Sequence, residues 1–345
     1  MAQALVVVAL MAGTFLLTLF GVWRYRAFAR RRGIKAEPNF RSLHQGPVPR
    51  GGGLVFSAVS ILAVAGLWSV GLIAPTLARA LIVAGIGATL VGFVDDAIQI
   101  RPLWKLLAQM ALAALVLISF DARPLIDIHV VPNVVELALS WLGLVWLLNV
   151  YNFMDGVDGM ASSGAIFMST AVIAALIAAR IGGFSSGDEG LTLVCAVIVA
   201  CNSAFMVFNR PPASIFMGDA GSLFLGVFFS VLLVKTVVEA QISLWTWVVI
   251  FGYFAGDTTT TSIIRIFVTP KWYAEHRSHA YQNLARVWHS HSAVVLGVTA
   301  YSFAWLLPLV IWSMLAPALA PVAAVCGLLP VVLWTLRHGP LRSSA

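Results

Sequence analysis

Residues 190–208 read GLTLVCAVIVACNSAFMVF, nineteen residues without a charged side chain. An α-helix needs about 20 apolar residues to cross the hydrocarbon core of a membrane. The rest of the chain has the same character, because 60% of its 345 residues are hydrophobic and 10% are charged, whereas soluble domains carry about 25% charged residues. This composition excludes a soluble enzyme, a disordered tail and a fibrous repeat. The sequence predicts an all-α polytopic membrane protein, with residues 1–345 forming one integral membrane domain.

Apolar runs predict eleven transmembrane helices, the first interpreted as an anchor because its arginines follow it. The helices are expected near residues 4–23, 53–73, 77–94, 103–120, 136–154, 160–180, 190–208, 222–240, 243–266, 292–314 and 316–336. With the N-terminus outside, seventeen of the 21 Lys and Arg residues fall on the cytoplasmic side, as the positive-inside rule requires. We therefore expect a cytoplasmic C-terminus. The net charge of +7 is assigned to this topology and to anionic lipid, and no nucleic-acid partner is expected.

Two segments between the predicted spans are expected to be non-helical. Alternating apolar residues in the outer loop 121–135 predict a short hairpin, and residues 267–291 form a long cytoplasmic loop. The three cysteines lie inside apolar runs and form no CxxC pair. Neither a disulfide framework nor a zinc site is therefore expected.

Five of the fourteen acidic residues fall in three short motifs at predicted helix ends. The motifs are Asp95-Asp96, Asn152-Phe153-Met154-Asp155-Gly156-Val157-Asp158-Gly159 and Phe216-Met217-Gly218-Asp219. Two predicted spans separate each motif from the next, so all three are expected at the cytoplasmic face. Carboxylates that face one another need a cation, and Mg²⁺ completed by phosphate oxygens is the hard cation that fits. Taken singly, each motif is also compatible with a simple helix cap.

Basic residues lie beside the predicted acidic cluster. Arg50 precedes three glycines at the mouth of the second span, and its guanidinium geometry suits phosphate, although a simple helix entry is the alternative. His276 and His279 flank Arg277 in the long cytoplasmic loop. Because imidazole prefers softer ions than Mg²⁺, contact with phosphate or sugar is favoured over metal binding there.

Three further polar residues are not assigned to the predicted acidic cluster. His289 and His291 are expected to be solvated loop residues. Asp257, beside four threonines in the ninth span, is either a hydrogen-bonded polar residue within the membrane or a distant part of the site.

In this order, the motifs resemble those of the polyprenyl-phosphate N-acetylhexosamine-1-phosphate transferases, the superfamily of MraY and WecA. The resemblance covers Pro38-Asn39-Phe40-Arg41 through His44-Gln45-Gly46, Asp95-Asp96, Asn149-Val150-Tyr151-Asn152 with Met154-Asp155-Gly156, and Ile215-Phe216-Met217-Gly218-Asp219. The loop His276-Arg277-Ser278-His279-Ala280-Tyr281-Gln282 lacks the three consecutive histidines of the MraY branch. It resembles the O-antigen-initiating, WbpL-like branch instead.

The resemblance implies transfer of a sugar-1-phosphate from a UDP-sugar to undecaprenyl phosphate, with release of UMP, at the cytoplasmic face of the bacterial inner membrane. It favours an N-acetylated amino sugar, with a 6-deoxy sugar as one option, and the start of a glycan such as O-antigen. The expected partners are the two substrates and the lipid bilayer, and a homodimer is the oligomer considered.

Residue by residue, the resemblance implies Asp219 as the Mg²⁺ ligand, with Mn²⁺ as an alternative ion. Asp95 is the expected base for the lipid phosphate, with Asp96 beside it. A covalent Asp intermediate stays open, and direct attack is preferred. The expected nucleotide-binding and substrate-binding residues are Asn152, Asp155, Asp158, Phe216 (stacked on uracil), Gly218, His276, Arg277, His279 and Arg50.

Two other classes of protein compete with the transferase. A secondary transporter also carries intramembrane carboxylates and glycine-broken helices, but it predicts acids near the bilayer midplane and repeated halves. A scaffold with a degenerate site would have lost motifs that are intact here.

Overall fold

The computed structural model of the protein describes residues 2–36, 46–126, 131–183, 188–270 and 278–342. Most of these residues are helical. The α-helices are α1 (Ala2–Arg32), α2 (Gly53–Ser69), α3 (Pro75–Ile98), α4 (Pro102–Ile118), α5 (Asn133–Phe153), α6 (Met160–Ile181), α7 (Glu189–Asn209), α8 (Asp219–Val238), α9 (Leu244–Val268), α10 (Ala280–Val287), α11 (His291–Tyr301), α12 (Leu307–Leu315) and α13 (Ala320–His338). A π-helical turn and two 3₁₀ turns lie at Ser302–Leu306, Pro317–Leu319 and Pro340–Arg342. Two short antiparallel strands, β1 (Lys35–Ala36) and β2 (Val48–Pro49), precede α2.

Within the described residues, eight helices are long and apolar enough to cross a membrane, which confirms the all-α polytopic membrane fold. They are α1, α3, α5, α6, α7, α8, the continuous helix His291–Leu315 and the helix Pro317–His338. Helices α2 and α4 are apolar but only 17 residues long, and α9 has 25 residues with several polar side chains. These eleven segments coincide with the eleven predicted spans. How many cross the membrane, and in which direction, stays a prediction.

Helix α8 is the centre of the bundle. In its apolar stretch 89% of the residues are buried, against 17% in α1, because α2, α3, α4 and α5 pack around it. In a bilayer, helices approach closely where small residues meet. Gly92 of α3 shows this, since a Cβ there would lie 2.2 Å from the carbonyl oxygen of Asp219. The end of α3 is thereby held against the first residue of α8.

Local sequence fixes where several helices begin. Pro75 and Pro102 occupy the first positions of α3 and α4, where the missing N–H has no helical partner to lose. Asp188, Ser243 and Ser290 precede α7, α9 and α11, and their side chains accept backbone N–H groups at 3.0–3.1 Å. Such caps satisfy donors that the helix itself leaves free.

The predicted span 292–314 is not a uniform α-helix. Pro308 lacks an N–H, and its ring excludes the carbonyl group four residues earlier. The turn Ser302–Leu306 is π-helical at this point, and α12 then resumes the α-helical path. The run of apolar residues predicts the span but does not predict the change from α-helical to π-helical hydrogen bonds.

The two segments expected to be non-helical have different outcomes. The expectation for residues 267–291 is wrong in part, because Ala280–Val287 form α10; this short polar segment has no apolar run to reveal it. The predicted outer hairpin lies partly outside the described residues, since 127–130 are not among them. Before that gap, the Leu125 N–H donates to Ser140 Oγ at 2.8 Å, which ties the start of the loop to α5.

Candidate active site

The three acidic motifs meet around the ammonium group of Lys105, in the first turn of α4. Its Nζ is 2.8 Å from Asp95 Oδ2 and 3.4 Å from Asn152 Oδ1, and it also contacts Asp219 Oδ2. Asp95 lies near the end of α3, Asn152 in the last turn of α5, and Asp219 at the start of α8. Three helix ends therefore bring together residues from all three motifs.

From the sequence, Lys105 is only one of the basic residues expected on the cytoplasmic side. The clustered carboxylates predict a cation among them, and that charge is assigned to Mg²⁺. In the structure this lysine supplies one such charge, with 21% of its side chain exposed. A usable signal existed, because Lys105 follows Asp95 across the short turn between α3 and α4.

Asp95 and Asp96 are adjacent in sequence but have different partners. Asp95 Oδ2 faces the lysine, and its Oδ1 accepts the Ile100 N–H at 2.9 Å. Asp96 accepts the backbone N–H groups of Asp219 and Ala220 at 3.0 and 3.2 Å. A carboxylate in this place satisfies free N–H groups and complements the helix dipole. Asp96 therefore holds the start of α8, and its catalytic role stays a prediction.

Arg50 and Gly218 complete the surroundings of Asp96. Arg50 Nη2 lies 2.5 Å from Asp96 Oδ1. Gly218 has a φ of 76°, which favours glycine, and a Cβ there would lie 2.5 Å from Asp96 Oδ2. The glycine of the third motif is thus required by packing, and its contact with a nucleotide stays a prediction.

The glycines after Arg50 have a structural reason as well. The N–H groups of Gly52 and Gly53 donate to the carbonyl oxygens of Phe216 and Met217 at 2.9 and 2.8 Å. A Cβ on Gly53 would lie 2.4 Å from the Cα of Gly221. This turn both begins α2 and holds the third motif in place.

The two carboxylates of the second motif lie in different surroundings. Asp155 is half-buried in the turn between α5 and α6, and burial, followed by the negative charge of Asp219, raises its pKa. Asp158 is 5% exposed; its Oδ2 accepts the Ala213 N–H at 2.9 Å and lies 3.2 Å from His291 Nδ1. The expectation of a solvated His291 is wrong, since its side chain is 13% exposed. Asp158 ties two loops together, and its contact with substrate stays a prediction.

The histidine and arginine cluster of the loop 267–291 is described only in part. His276 and Arg277 lie outside the described residues. His279 is 2% exposed, with its ring centroid 5.9 Å from that of Phe153. Burial and the positive charge of Arg265 lower the pKa of His279 to about 3. It is therefore neutral near pH 7 and brings no positive charge to a diphosphate.

The oxygen atoms around Lys105 suit a hard divalent cation. Asp95, Asp219 and Asn152 already direct oxygens at one positive charge, and carboxylate and amide oxygens are ligands of Mg²⁺ in proteins. Across the described ranges, His, Cys, Asp and Glu side chains form no cluster of three that would hold a metal ion by itself. Oxygens from a bound phosphate would complete the coordination.

Comparison with known proteins identifies the family. Residues 78–237, which contain Asp95 and Asp219, match glycosyl transferase family 4. A Bacillus subtilis (strain 168) protein named as a probable undecaprenyl-phosphate N-acetylglucosaminyl 1-phosphate transferase is 30% identical over 84% of this chain and 81% of its own length. The chain belongs to the polyprenyl-phosphate N-acetylhexosamine-1-phosphate transferases.

Other transferases of the superfamily are similar over much of the chain. A phospho-N-acetylmuramoyl-pentapeptide-transferase of Synechococcus sp. (strain CC9311) is 30% identical over 73% of this chain and 70% of its own length. One from Streptococcus sanguinis (strain SK36) is 28% identical over 73% and 80%. The superfamily predicted from the motifs is confirmed. The names of these relatives do not specify the WbpL-like branch, which stays a prediction for this transferase.

Proposed function

We propose that this transferase moves a sugar-1-phosphate from a UDP-sugar to undecaprenyl phosphate and releases UMP. The observation that carries the proposal is the convergence of Asp95, Asp219 and Asn152 on one cation at the end of a helix bundle. The name of the Bacillus relative supports the lipid acceptor, and the apolar helices support a membrane location. The site would face the cytoplasm at the bacterial inner membrane, where one substrate is soluble and the other is a lipid.

The reaction exchanges one phosphoanhydride bond for another. An oxygen of the lipid phosphate attacks the β-phosphorus of the UDP-sugar, a new P–O bond forms, and the bond from that phosphorus to the oxygen of UMP breaks. The reacting groups are anions, so the site must neutralise charge and align the groups in line. We assign Asp95 as the base that takes the proton of the lipid phosphate, and direct attack is preferred over a covalent aspartyl intermediate.

Positive charge at this site has several sources. Asp219 would hold Mg²⁺ or Mn²⁺, which neutralises the charge of the diphosphate when bound. Lys105 contacts oxygens of Asp219, Asp95 and Asn152, so its ammonium is within reach of a phosphate placed beside them. Arg50 holds Asp96 and brings a second fixed cation to the same end of the bundle.

The remaining site residues are assigned to the donor sugar nucleotide by resemblance to the family. The nucleotide side is assigned to Asn152, Asp155, Asp158, Phe216 and Gly218. The diphosphate or the sugar is assigned to His276, Arg277 and His279. Because His279 is buried and neutral, its part would be shape or a hydrogen bond rather than charge.

The proposed sugar is an N-acetylated amino sugar, with a 6-deoxy sugar as the WbpL-like option. The names of the relatives support an N-acetylated sugar, and the pattern of the loop 276–282 supports the WbpL-like option. The lipid-linked product would start a cell-surface glycan such as O-antigen. A homodimer remains the oligomer to test, by the mass of the protein in detergent.

A secondary transporter is the weaker candidate. It predicts carboxylates near the middle of the membrane, whereas Asp95, Asp96 and Asp219 lie at helix ends. The family match also spans the helices that carry all three carboxylates.

The test is release of UMP by the purified protein in detergent with undecaprenyl phosphate and Mg²⁺. The donors would be UDP-N-acetylglucosamine, a UDP-linked 6-deoxy N-acetylated sugar and UDP-N-acetylmuramoyl-pentapeptide. We expect release that requires both the lipid and the metal, and the best donor would identify the branch. Folded protein that releases no UMP from any donor and binds none of them would contradict the proposal.

A further inference from the structure

Asp257 is a buried carboxylate of α9 that the proposed chemistry does not use. It is 0% exposed, and both of its oxygens accept hydrogen bonds. Oδ1 accepts from the Ala280 N–H at 3.0 Å and from the hydroxyl groups of Thr261 and Thr335 at 3.2 Å each. Oδ2 accepts from the Tyr281 N–H at 3.4 Å. Of the two interpretations left open by the sequence, a hydrogen-bonded polar residue therefore describes its immediate surroundings.

These hydrogen bonds fix the start of α10. Ala280 and Tyr281 are its first two residues, and the first N–H groups of a helix have no partner within the helix. A carboxylate that accepts them also complements the helix dipole. Because Thr335 belongs to α13, Asp257 holds three helices together at one point.

Tyr281 connects α10 to the turn that carries Asp155. Its O–H donates to the Phe153 carbonyl oxygen at 2.6 Å, and its oxygen accepts the Gly156 N–H at 3.1 Å. Burial and the charge of Asp257 raise the pKa of Tyr281, so the hydroxyl keeps its proton. A Cβ on Gly156 would lie 2.5 Å from the tyrosine oxygen. The phenol thus bridges both sides of the turn.

The same turn is joined to the carboxylate cluster. Asn152, immediately before Phe153, donates to Ser222 Oγ at 2.9 Å and accepts from Lys105 at 3.4 Å. The turn therefore begins at Asn152, which contacts Lys105, and carries Asp155 three residues later.

We propose that Asp257 and Tyr281 are positioning residues for the donor nucleotide. Asp257 sets the start of α10, and Tyr281 holds the turn 152–156 in the conformation that receives the nucleotide. This inference rests on the proposed function, because it assigns the turn to the UDP-sugar. Asp219, the proposed metal ligand, is held by Lys105 of α4 and Asp96 of α3 and does not depend on Tyr281. Losing the phenol hydroxyl therefore weakens binding of the donor nucleotide more than it slows the chemical step.

The first test is Tyr281→Phe, with Tyr301→Phe as a matched control. Tyr301 also donates its O–H to a helix carbonyl, that of Gly327, at 2.6 Å, but this bond joins α11 to α13 and not to the turn 152–156. For Tyr281→Phe we expect the Kd for UMP and the KM for the UDP-sugar to rise about tenfold, as when a buried hydrogen bond is lost. We expect kcat to change by less than about threefold, and Tyr301→Phe to bind UMP like the wild type.

The second test is Asp257→Asn, with Thr335→Val as its control. The amide keeps one accepting oxygen and replaces the other with an NH₂ group, which cannot accept the N–H of Ala280 or Tyr281 that faces it, so the Kd for UMP should again rise. Thr335→Val removes one partner of Asp257 but leaves the N–H groups of α10 bonded, so UMP binding should be unchanged. In the Asp257→Asn/Tyr281→Phe double variant, the rise in Kd should be smaller than the product of the single effects, because both act through one turn.

Thermal unfolding in detergent identifies variants that do not fold, and if Asp257→Asn is one of them, Tyr281→Phe carries the test. Wild-type UMP binding by Tyr281→Phe, or an equal loss in Tyr301→Phe, overturns the inference while leaving the proposed function intact. Wild-type protein that neither binds nor releases UMP overturns the proposed function, and this inference with it.

Discussion

Single carboxylates at this site differ in what they are free to do. Asp219 contacts a lysine whose ammonium is shared with Asp95, whereas Asp96 is committed to the backbone at the start of α8. The side chain of Asp219 can therefore bind a cation while its backbone N–H stays bonded to Asp96 at the start of α8.

Replacing that carboxylate should separate activity from folding. We expect Asp219→Asn to lower the rate of UMP release about 100-fold or more, the range seen when one preorganised electrostatic contact is lost. The thermal unfolding temperature should change little, because the amide has nearly the same shape. Asp121→Asn, at a site 85% exposed after the end of α4, is the control and should keep full activity. Near-normal turnover in Asp219→Asn would remove Asp219 from the assignment of metal ligands.

His279 should make stability depend on pH. Its folded pKa of about 3 lies below the ordinary value of about 6.5, so between these values the unfolded chain binds more protons. The contribution of His279 is therefore complete above pH 6.5 and is lost as the pH falls towards 3. One such group changes the free energy of unfolding by up to about 1.4 kcal/mol per pH unit in that range.

Unfolding in detergent between pH 7 and pH 5 measures this effect. His279→Gln, which cannot take up a proton, should flatten the dependence, whereas His289→Gln, at an exposed position, should leave it unchanged. Equal slopes for the wild type and His279→Gln would show that His279 is not buried as a neutral group.

For individual residues, the sequence predicts which side chains gather at one end of the bundle but not which of them bond to one another. Spacing places three motifs at one face. It does not distinguish Asp95 from Asp96, because successive residues of a helix differ by about 100° in direction and only the packing of α3 on α8 decides which one meets the lysine. Tyr281 was missed as a site residue because its partners in the turn 152–156 are far away in sequence. Lys105 was missed although Asp95 is close in sequence, because its other two partners, Asn152 and Asp219, lie on distant helices.

Among the elements, the contact between α3 and α8 should be the one least tolerant of added volume. Gly92→Ala would place a methyl group 2.2 Å from the carbonyl oxygen of Asp219, so either α3 or the start of α8 must move. We expect a loss of about 1–3 kcal/mol in the free energy of unfolding, typical of overpacking, together with most of the activity.

Gly143→Ala in α5 is the matched control for this substitution. A Cβ there meets nothing within 4 Å, and alanine favours helix by about 1 kcal/mol over glycine. Its activity and stability should be equal to or above those of the wild type. Thermal unfolding and UMP release are measured for both variants. Normal activity in Gly92→Ala would show that α3 and α8 are packed less tightly than the structure indicates.

Helices could be predicted wherever an apolar run is long, and α3 to α8 lie close to their predicted positions. The departures have local causes. The π-helical turn follows from Pro308, and α10 is short and polar, with its start fixed by Asp257 rather than by its own sequence. Such features depend on tertiary partners that periodicity does not contain.

For the whole molecule, the predicted topology can be tested by labelling single cysteines. In a Cys326→Ser background, with Cys195 and Cys201 buried, Arg123→Cys should react with a membrane-impermeant maleimide on intact spheroplasts. Arg101→Cys, on the side of the site, should react only after lysis. Both positions are exposed, so the difference reports the side of the membrane. The opposite pattern would invert the predicted orientation.

The hydrogen bonds between Asp257 and the start of α10 also limit where this chain can be recombined with its relatives. A chimera joined at residue 276 would keep Asp257 from this chain but take residues 280 and 281, whose N–H groups it accepts, from the relative. A crossover within α9, before Asp257, would carry the carboxylate, the helix start and the hydroxyl as one inherited block. Exchanges of sugar preference between family members should therefore succeed with junctions in α9 and lose donor affinity with junctions inside the loop.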